Sequence, residues 1–139
     1  MKAKVSIIAL LALAFPLAAA AQQQPQTPEQ REKQLYENIQ KQVDDLADRL
    51  DLEDWQIFYA DSILTRNYTD LAREFEKQSA NKVSDSSIYQ LLQDGCAEKN
   101  YNALKAILSE EQWAKYLKQG AARAKKDRDR RAAKRQKQS

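Results

Sequence analysis

Residues 35–64 read LYENIQKQVDDLADRLDLEDWQIFYADSIL. Leu35, Ile39, Val43, Leu46 and Leu50 recur at steps of four, four, three and four. That spacing puts them on one stripe of a helix and leaves Asp44, Asp45 and Asp48 mostly off it. The pattern then resets. Leu52, Trp55, Tyr59 and Ser62 trace one row, and Ile57, Leu64 and Leu71 trace another at heptad spacing, joined by Phe75. A second helix is therefore expected, capped by Asp51 and running to about Ser79. Two amphipathic segments with a break between them can hide their apolar stripes only by packing on one another, on further helices or on a second copy.

On the N-terminal side, Thr27-Pro28-Glu29 supplies an N-cap, a first helical residue and a first-turn acid, so the first helix should begin there. The preceding QQQPQTP, residues 22–28, has nothing to bury and reads as a disordered leader. Lys2 and Lys4, the apolar run Val5 to Leu17 and the small residues Ala18 to Ala21 have the grammar of a signal peptide cleaved after Ala21. Pro16 interrupts the run, which is shorter than the roughly 20 residues a membrane span needs, so no membrane span is expected after cleavage. No Cys stands at the cleavage point to carry a lipid.

On the C-terminal side, residues 79–87 are rich in capping and turning residues, and the chain should reverse there. Ile88, Leu91, Leu92, Cys96, Ala103, Leu104, Ile107 and Leu108 form a third stripe. Within it Gly95 is a weak point that costs about 1 kcal/mol against alanine, either a kink or a close contact. Ser109 should restart a fourth helix, with Trp113, Tyr116, Leu117, Ala121 and Ala124 on its apolar side.

Composition agrees with an all-α reading. Gly95 and Gly120 are the only glycines and no proline follows Pro28, so the turn residues of hairpins and sandwiches are missing. The absence of histidine removes the commonest general base and zinc ligand. No phosphate-binding glycine loop or nucleophile–base pair is visible, so neither an enzyme nor a cofactor is expected. The acidic residues Asp44, Asp45, Asp48, Asp51, Glu53 and Asp54 lack the glycine and alternating ligands of a calcium loop. They read as a solvated face, and no metal is expected. Asn67-Tyr68-Thr69 matches a glycosylation sequon but falls inside an expected helix. Cys96, the single cysteine, is either a small core residue or a link between two chains.

Charge is unevenly split. Residues 22–117 carry 11 Lys and Arg against 18 Asp and Glu, whereas residues 118–139 carry 10 against 2. An acidic body with a basic tail suggests self-association, an anionic partner or simple solubility. The tail is rich in helix formers but has no large apolar residue, so it either continues the fourth helix into solvent or frays. Arg123, Lys125, Lys126, Arg128, Arg130 and Arg131 are its candidate partner-binding cations. Without aromatic residues among them, nucleic acid is not the expected partner. The aromatic side chains of the body have two readings. They fill the core of a dimer, or some of them, Phe58 and Tyr68 above all, belong to an exposed client or partner surface.

Two places share one local grammar: Leu52-Glu53-Asp54-Trp55-Gln56 and Leu108-Ser109-Glu110-Glu111-Gln112. In the second, Ser109 and Gln112 form a capping box, with Leu108 and Trp113 placed as a hydrophobic staple. This pair of glutamine-bearing helix starts, separated by a long helix, a turn and another helix, resembles the LTxxQ motifs of the Spy/CpxP family of periplasmic proteins over about Leu35 to Leu117. The first start departs from the pattern, because Glu53 stands where the family has Thr. The resemblance implies about four helices in long antiparallel hairpins, extended and completed by homodimerisation into a shallow cradle. It also implies a periplasmic, non-enzymatic stress or ATP-independent chaperone role, with unfolded or envelope proteins as partners. Leu52, Gln56, Leu108, Ser109 and Gln112 carry over as helix-start devices, not as client contacts. An alternative is an envelope assembly protein acting through its acidic body and basic tail, without general chaperone activity.

Overall fold

The structure, a computed structural model, describes residues 25–139. The expected signal peptide over 1–21, and 22–24 of the expected leader, lie outside the described residues. The chain divides into two units, Met1–Lys33 and Gln34–Ser139. In the first, Thr27 Oγ1 accepts from the Gln30 N–H at 3.2 Å and the Thr27 N–H donates to Gln30 Oε1 at 2.9 Å. This reciprocal box, with Pro28 at the first helical position, starts helix α1, Pro28–Leu50.

The second unit continues α1 and adds α2 (Asp54–Ala80), α3 (Ser86–Ile107), α4 (Glu110–Tyr116), a π-type turn (Leu117–Ala121) and α5 (Ala122–Gln138). The described residues contain no strand, and the protein is all-α. Its fourth helical segment bends at Gly120, whose φ of 121° lies where an L side chain is strained. Gly95, expected as a kink or a close contact, is neither. Helix α3 runs unbroken through it, and a Cβ there would meet nothing within 4 Å.

The break after α1 corrects the expected role of Asp51. Its φ of 50° places it in the left-handed region, and the Leu52 N–H donates to Ala47 O at 3.1 Å. Asp51 is thus the residue that closes α1 in a Schellman motif, a position Asp tolerates better than most. A residue used this way cannot also adopt the extended backbone of an N-cap. Glu53 takes that role, with φ −72° and ψ 159°, and its N–H donates to Gln56 Oε1 at 2.9 Å. The second start is as expected. Ser109 Oγ accepts from the Gln112 N–H at 3.1 Å while the Ser109 N–H donates to Gln112 Oε1 at 3.0 Å. Between α2 and α3, Lys82 repeats the left-handed ending, and Asp85 caps α3 through the Ser87 N–H at 2.9 Å.

Ile39, Val43, Leu46 and Leu50 of α1 meet Ala60 and Leu64 of α2 and Leu104 of α3 in one core. Leu52, Ile57, Leu108 and Tyr116 pack against it. The two helix starts meet beside this core. The Gln56 Nε2 amide donates to Gln112 Oε1 at 2.6 Å, and Gln112 Nε2 donates to Gln56 Oε1 at 3.0 Å. Each also reaches the end of the helix preceding the other start: Gln56 Nε2 to Ile107 O at 3.0 Å, and Gln112 Nε2 to Leu50 O at 3.2 Å. Each glutamine therefore satisfies a donor at its own helix N-terminus and an acceptor at a foreign C-terminus, both of which helices leave unpaired. A further polar link joins α2 to α3, where Asn67 Nδ2 donates to Asn100 Oδ1 at 2.7 Å.

Gln56 is only 3 % exposed, so its removal strands the groups it serves. Gln56→Ala should destabilise by about 1–3 kcal/mol in urea unfolding, the cost of an unpaired buried polar group. Gly95→Ala should stabilise by about 0.5–1 kcal/mol, because the helix has room for the methyl group and alanine loses less backbone freedom.

Candidate functional site

Helix geometry decides which face of α2 remains exposed. Gln56, Ala60 and Leu64 stand at steps of four and are all buried. Phe58 lies about 200° around the helix from Gln56 and must point away from the core. It is 68 % exposed, flanked by Trp55 at 50 % and Tyr59 at 51 %. The rings form one cluster: Phe58 and Tyr59 meet edge to face at 5.6 Å, and Trp55 and Tyr59 at 6.2 Å. The Trp55 indole N–H donates to Glu53 Oε2 at 2.5 Å. Asp54 and Asp61 stand four residues before and three after Phe58, on the same helical face. From Leu50 to Thr65 the chain has Asp51, Glu53, Asp54 and Asp61 and no Lys or Arg. The result is an exposed aromatic patch in a wholly anionic stretch. Ile57, its neighbour in sequence, packs against the core instead.

Tyr68, grouped with Phe58 by sequence, lies elsewhere. It packs against the core, its hydroxyl donates to Gln42 Oε1 at 3.0 Å, and burial raises its pKa. Its position four residues after the buried Leu64 continues the inward row, which is why it is not part of the exposed surface. Cys96 is buried, and its thiol donates to Asn67 O at 3.5 Å. It has the surroundings of a small core residue, with its pKa raised mainly by burial. The sequon residue Asn67 spends its amide on Asn100, as described above.

The basic tail is a helix whose inner face is tied to α3. Asp94, only 7 % exposed, accepts from Arg131 Nε at 2.9 Å, Arg131 Nη2 at 2.8 Å and Arg135 Nη1 at 3.3 Å. Glu98 pairs with Lys125 at 2.6 Å and Arg128 at 3.2 Å. One α-helical turn further on, Tyr101 carries Lys125 and Arg128 over its ring at 5.7 and 5.5 Å. Asp94, Glu98 and Tyr101 share one stripe of α3, met in antiparallel order by Lys125, Arg128, Arg131 and Arg135 of α5. Sequence reading missed this match, which exists only once the bend at Gly120 turns α5 back. Of the candidate cations, Lys125, Arg128 and Arg131 are thus engaged within the chain. Arg123, Lys126 and Arg130 form the outer, exposed face, with Arg130 also 3.8 Å from Asp127.

The helix-start residues are where the fold needs them. Leu52 and Leu108 pack on the core, and Gln56, Ser109 and Gln112 make the junction. Of the acidic residues singled out by sequence, Asp45 pairs with Arg49 at 2.8 Å, Asp44 accepts from Gln40, and Glu53 accepts from the Trp55 indole. Among the described residues no group of three or more His, Cys, Asp or Glu is arranged to hold a metal ion. No helix among them is long and apolar enough to cross a membrane. Comparison with protein-family models, curated proteins and solved structures returns no match.

The α3–α5 seam has a pH signature. Arg131 lowers the pKa of Asp94, and Lys125 lowers that of Glu98. A carboxylate whose folded pKa is depressed contributes stability above its unfolded value, near 4, and that contribution is lost as pH falls through the folded value. Helical CD signal and thermal stability should therefore fall on acidification below about pH 4. Asp94→Asn should lower stability at pH 7 and flatten this dependence.

Proposed function

We propose that this protein is an exported, non-enzymatic factor that binds unfolded protein segments without nucleotide, in the manner of the Spy/CpxP-like proteins its helix starts resemble. The observation that carries the reading is the Trp55–Phe58–Tyr59 patch. A contiguous set of exposed rings rimmed by charge is what a binder of apolar segments needs, since apolar contact supplies grip and electrostatics supplies encounter rate. The uniform negative charge around the rings favours clients whose apolar residues are interspersed with Lys and Arg. The signal-peptide grammar of residues 1–21 supports a periplasmic location, where unfolded chains must be held without ATP.

A second reading rests on the exposed stripe Arg123, Lys126 and Arg130, which remains available to an anionic envelope partner after the inner cations of α5 are engaged.

The two readings separate in one assay. The purified mature protein, at a few-fold excess, should slow aggregation of a chemically unfolded reporter without ATP. Phe58→Ser combined with Trp55→Ser should abolish most of that effect while changing stability by about 1 kcal/mol, at about 0.5 kcal/mol for each surface substitution. A triple variant, Arg123→Ser, Lys126→Ser and Arg130→Ser, should leave it intact. Inactivity of the wild-type chain, or full activity of the aromatic variant, would defeat the client-binding reading. Under the second reading the wild-type chain is itself inactive in this assay.

A further inference from the structure

The outer face of α5 carries a row of cations. Arg123, Lys126, Arg130 and Lys134 are all exposed and follow one another at steps of three, four and four. They fall within about 80° of arc around the helix, away from the inner cations that hold Asp94 and Glu98. Little of this charge is spent among the described residues. Of the four, Arg130 alone has an ion pair, a loose one with Asp127 at 3.8 Å.

The outer face of α2 offers the complement. Asp54, Phe58 and Asp61 are exposed and stand at steps of four and three, on a row spanning about 60° of arc. Asp61 accepts from the Thr65 hydroxyl at 3.1 Å, which leaves its charge uncompensated. Trp55 and Tyr59 adjoin Phe58, so a cation arriving there lands among three rings.

In reverse, α5 has the same steps: Arg130 to Lys126 is four residues and Lys126 to Arg123 is three. Laid antiparallel on α2, it brings Arg130 to Asp54, Lys126 to Phe58 and Arg123 to Asp61 at once, because both rows rise about 1.5 Å per residue. Lys134 then reaches the corner that carries Asp51 and Glu53. The match is not made within one chain, where α5 is tied to α3 by its opposite face.

We propose that a second copy of this chain docks the outer row of its α5 antiparallel on the outer face of α2. Lys126 is held among Trp55, Phe58 and Tyr59, with an arginine–aspartate pair on either side. The lysine head meets ring faces while its stem covers apolar surface. Because the two faces differ, the contact is heterologous and is not limited to two copies. One helix row buries little area, so the dissociation constant should lie between about 10 µM and 1 mM. This docking covers the rings assigned to clients, but it stands on the two surfaces alone and its test does not read client holding.

The test is sedimentation equilibrium of the full mature chain over about 10 µM to 1 mM. In about 50 mM salt the average mass should rise with concentration, and about 0.5 M salt should weaken association tenfold or more by screening exposed charges. Asp54→Lys with Asp61→Lys, or Arg123→Glu with Arg130→Glu, should each weaken it at least about tenfold with helical CD unchanged. An equimolar mixture of these two variants should associate as the wild type does, since one supplies the native row and the other the native patch. The same charge change on exposed residues of α1, Glu32→Lys with Asp48→Lys, should leave association in place. Phe58→Ala should weaken it about threefold. A wild-type mass that stays constant over the range, or undiminished association in either reversed variant, would overturn the proposal. So would a mixture that fails to associate, or an equal loss in the α1 variant.

Discussion

The reciprocal bond between Gln56 and Gln112 is the constraint on which the rest of the second unit depends. Helix ends are the places where backbone groups lack partners, and four such ends converge where α1 gives way to α2 and α3 to α4. Water cannot serve them all beside a packed core. The two amides do so by acting twice each, once on their own helix start and once on the end of the opposite helix. A glutamine is suited to this because its side chain carries both an acceptor and two donors. The corner geometry then sets the rotation of α2, and that rotation turns Ala60 and Leu64 inward and Phe58 outward. The candidate client surface is thus a consequence of how two helix starts are joined.

A different physics holds the C-terminal helix. Helix α5 has no large apolar residue, so burial of area cannot dock it. Its inner cations instead meet Asp94, Glu98 and Tyr101 of α3, and the charge asymmetry of the sequence is partly neutralised within the chain. Exposed ion pairs contribute little, but Asp94 is buried and accepts from two arginines, which gives the seam its one strong point. This docking is the part of the structure most open to pH and salt.

Much of this was legible in the linear pattern. The α1 stripe, the second start at Ser109 and the polar turn before α3 follow from residue spacing and capping chemistry, which act over three or four residues. Asp51 was misread because a residue suited to an N-cap is equally suited to a left-handed helix ending. Gly95 and Gly120 could not be told apart by identity, since only packing shows that the first sits in an open helix and the second at a bend. The α3–α5 stripes lie some 30 to 40 residues apart, beyond the reach of local rules.

The sequence by itself determined the class and the number of helical segments, because hydrophobic period and caps are local properties of the chain. Only the tertiary structure decided which aromatic residues stay in solvent and which cations are free. These depend on the angle at which helices distant in sequence meet, and that angle is set by polar bonds between their ends that no single segment contains.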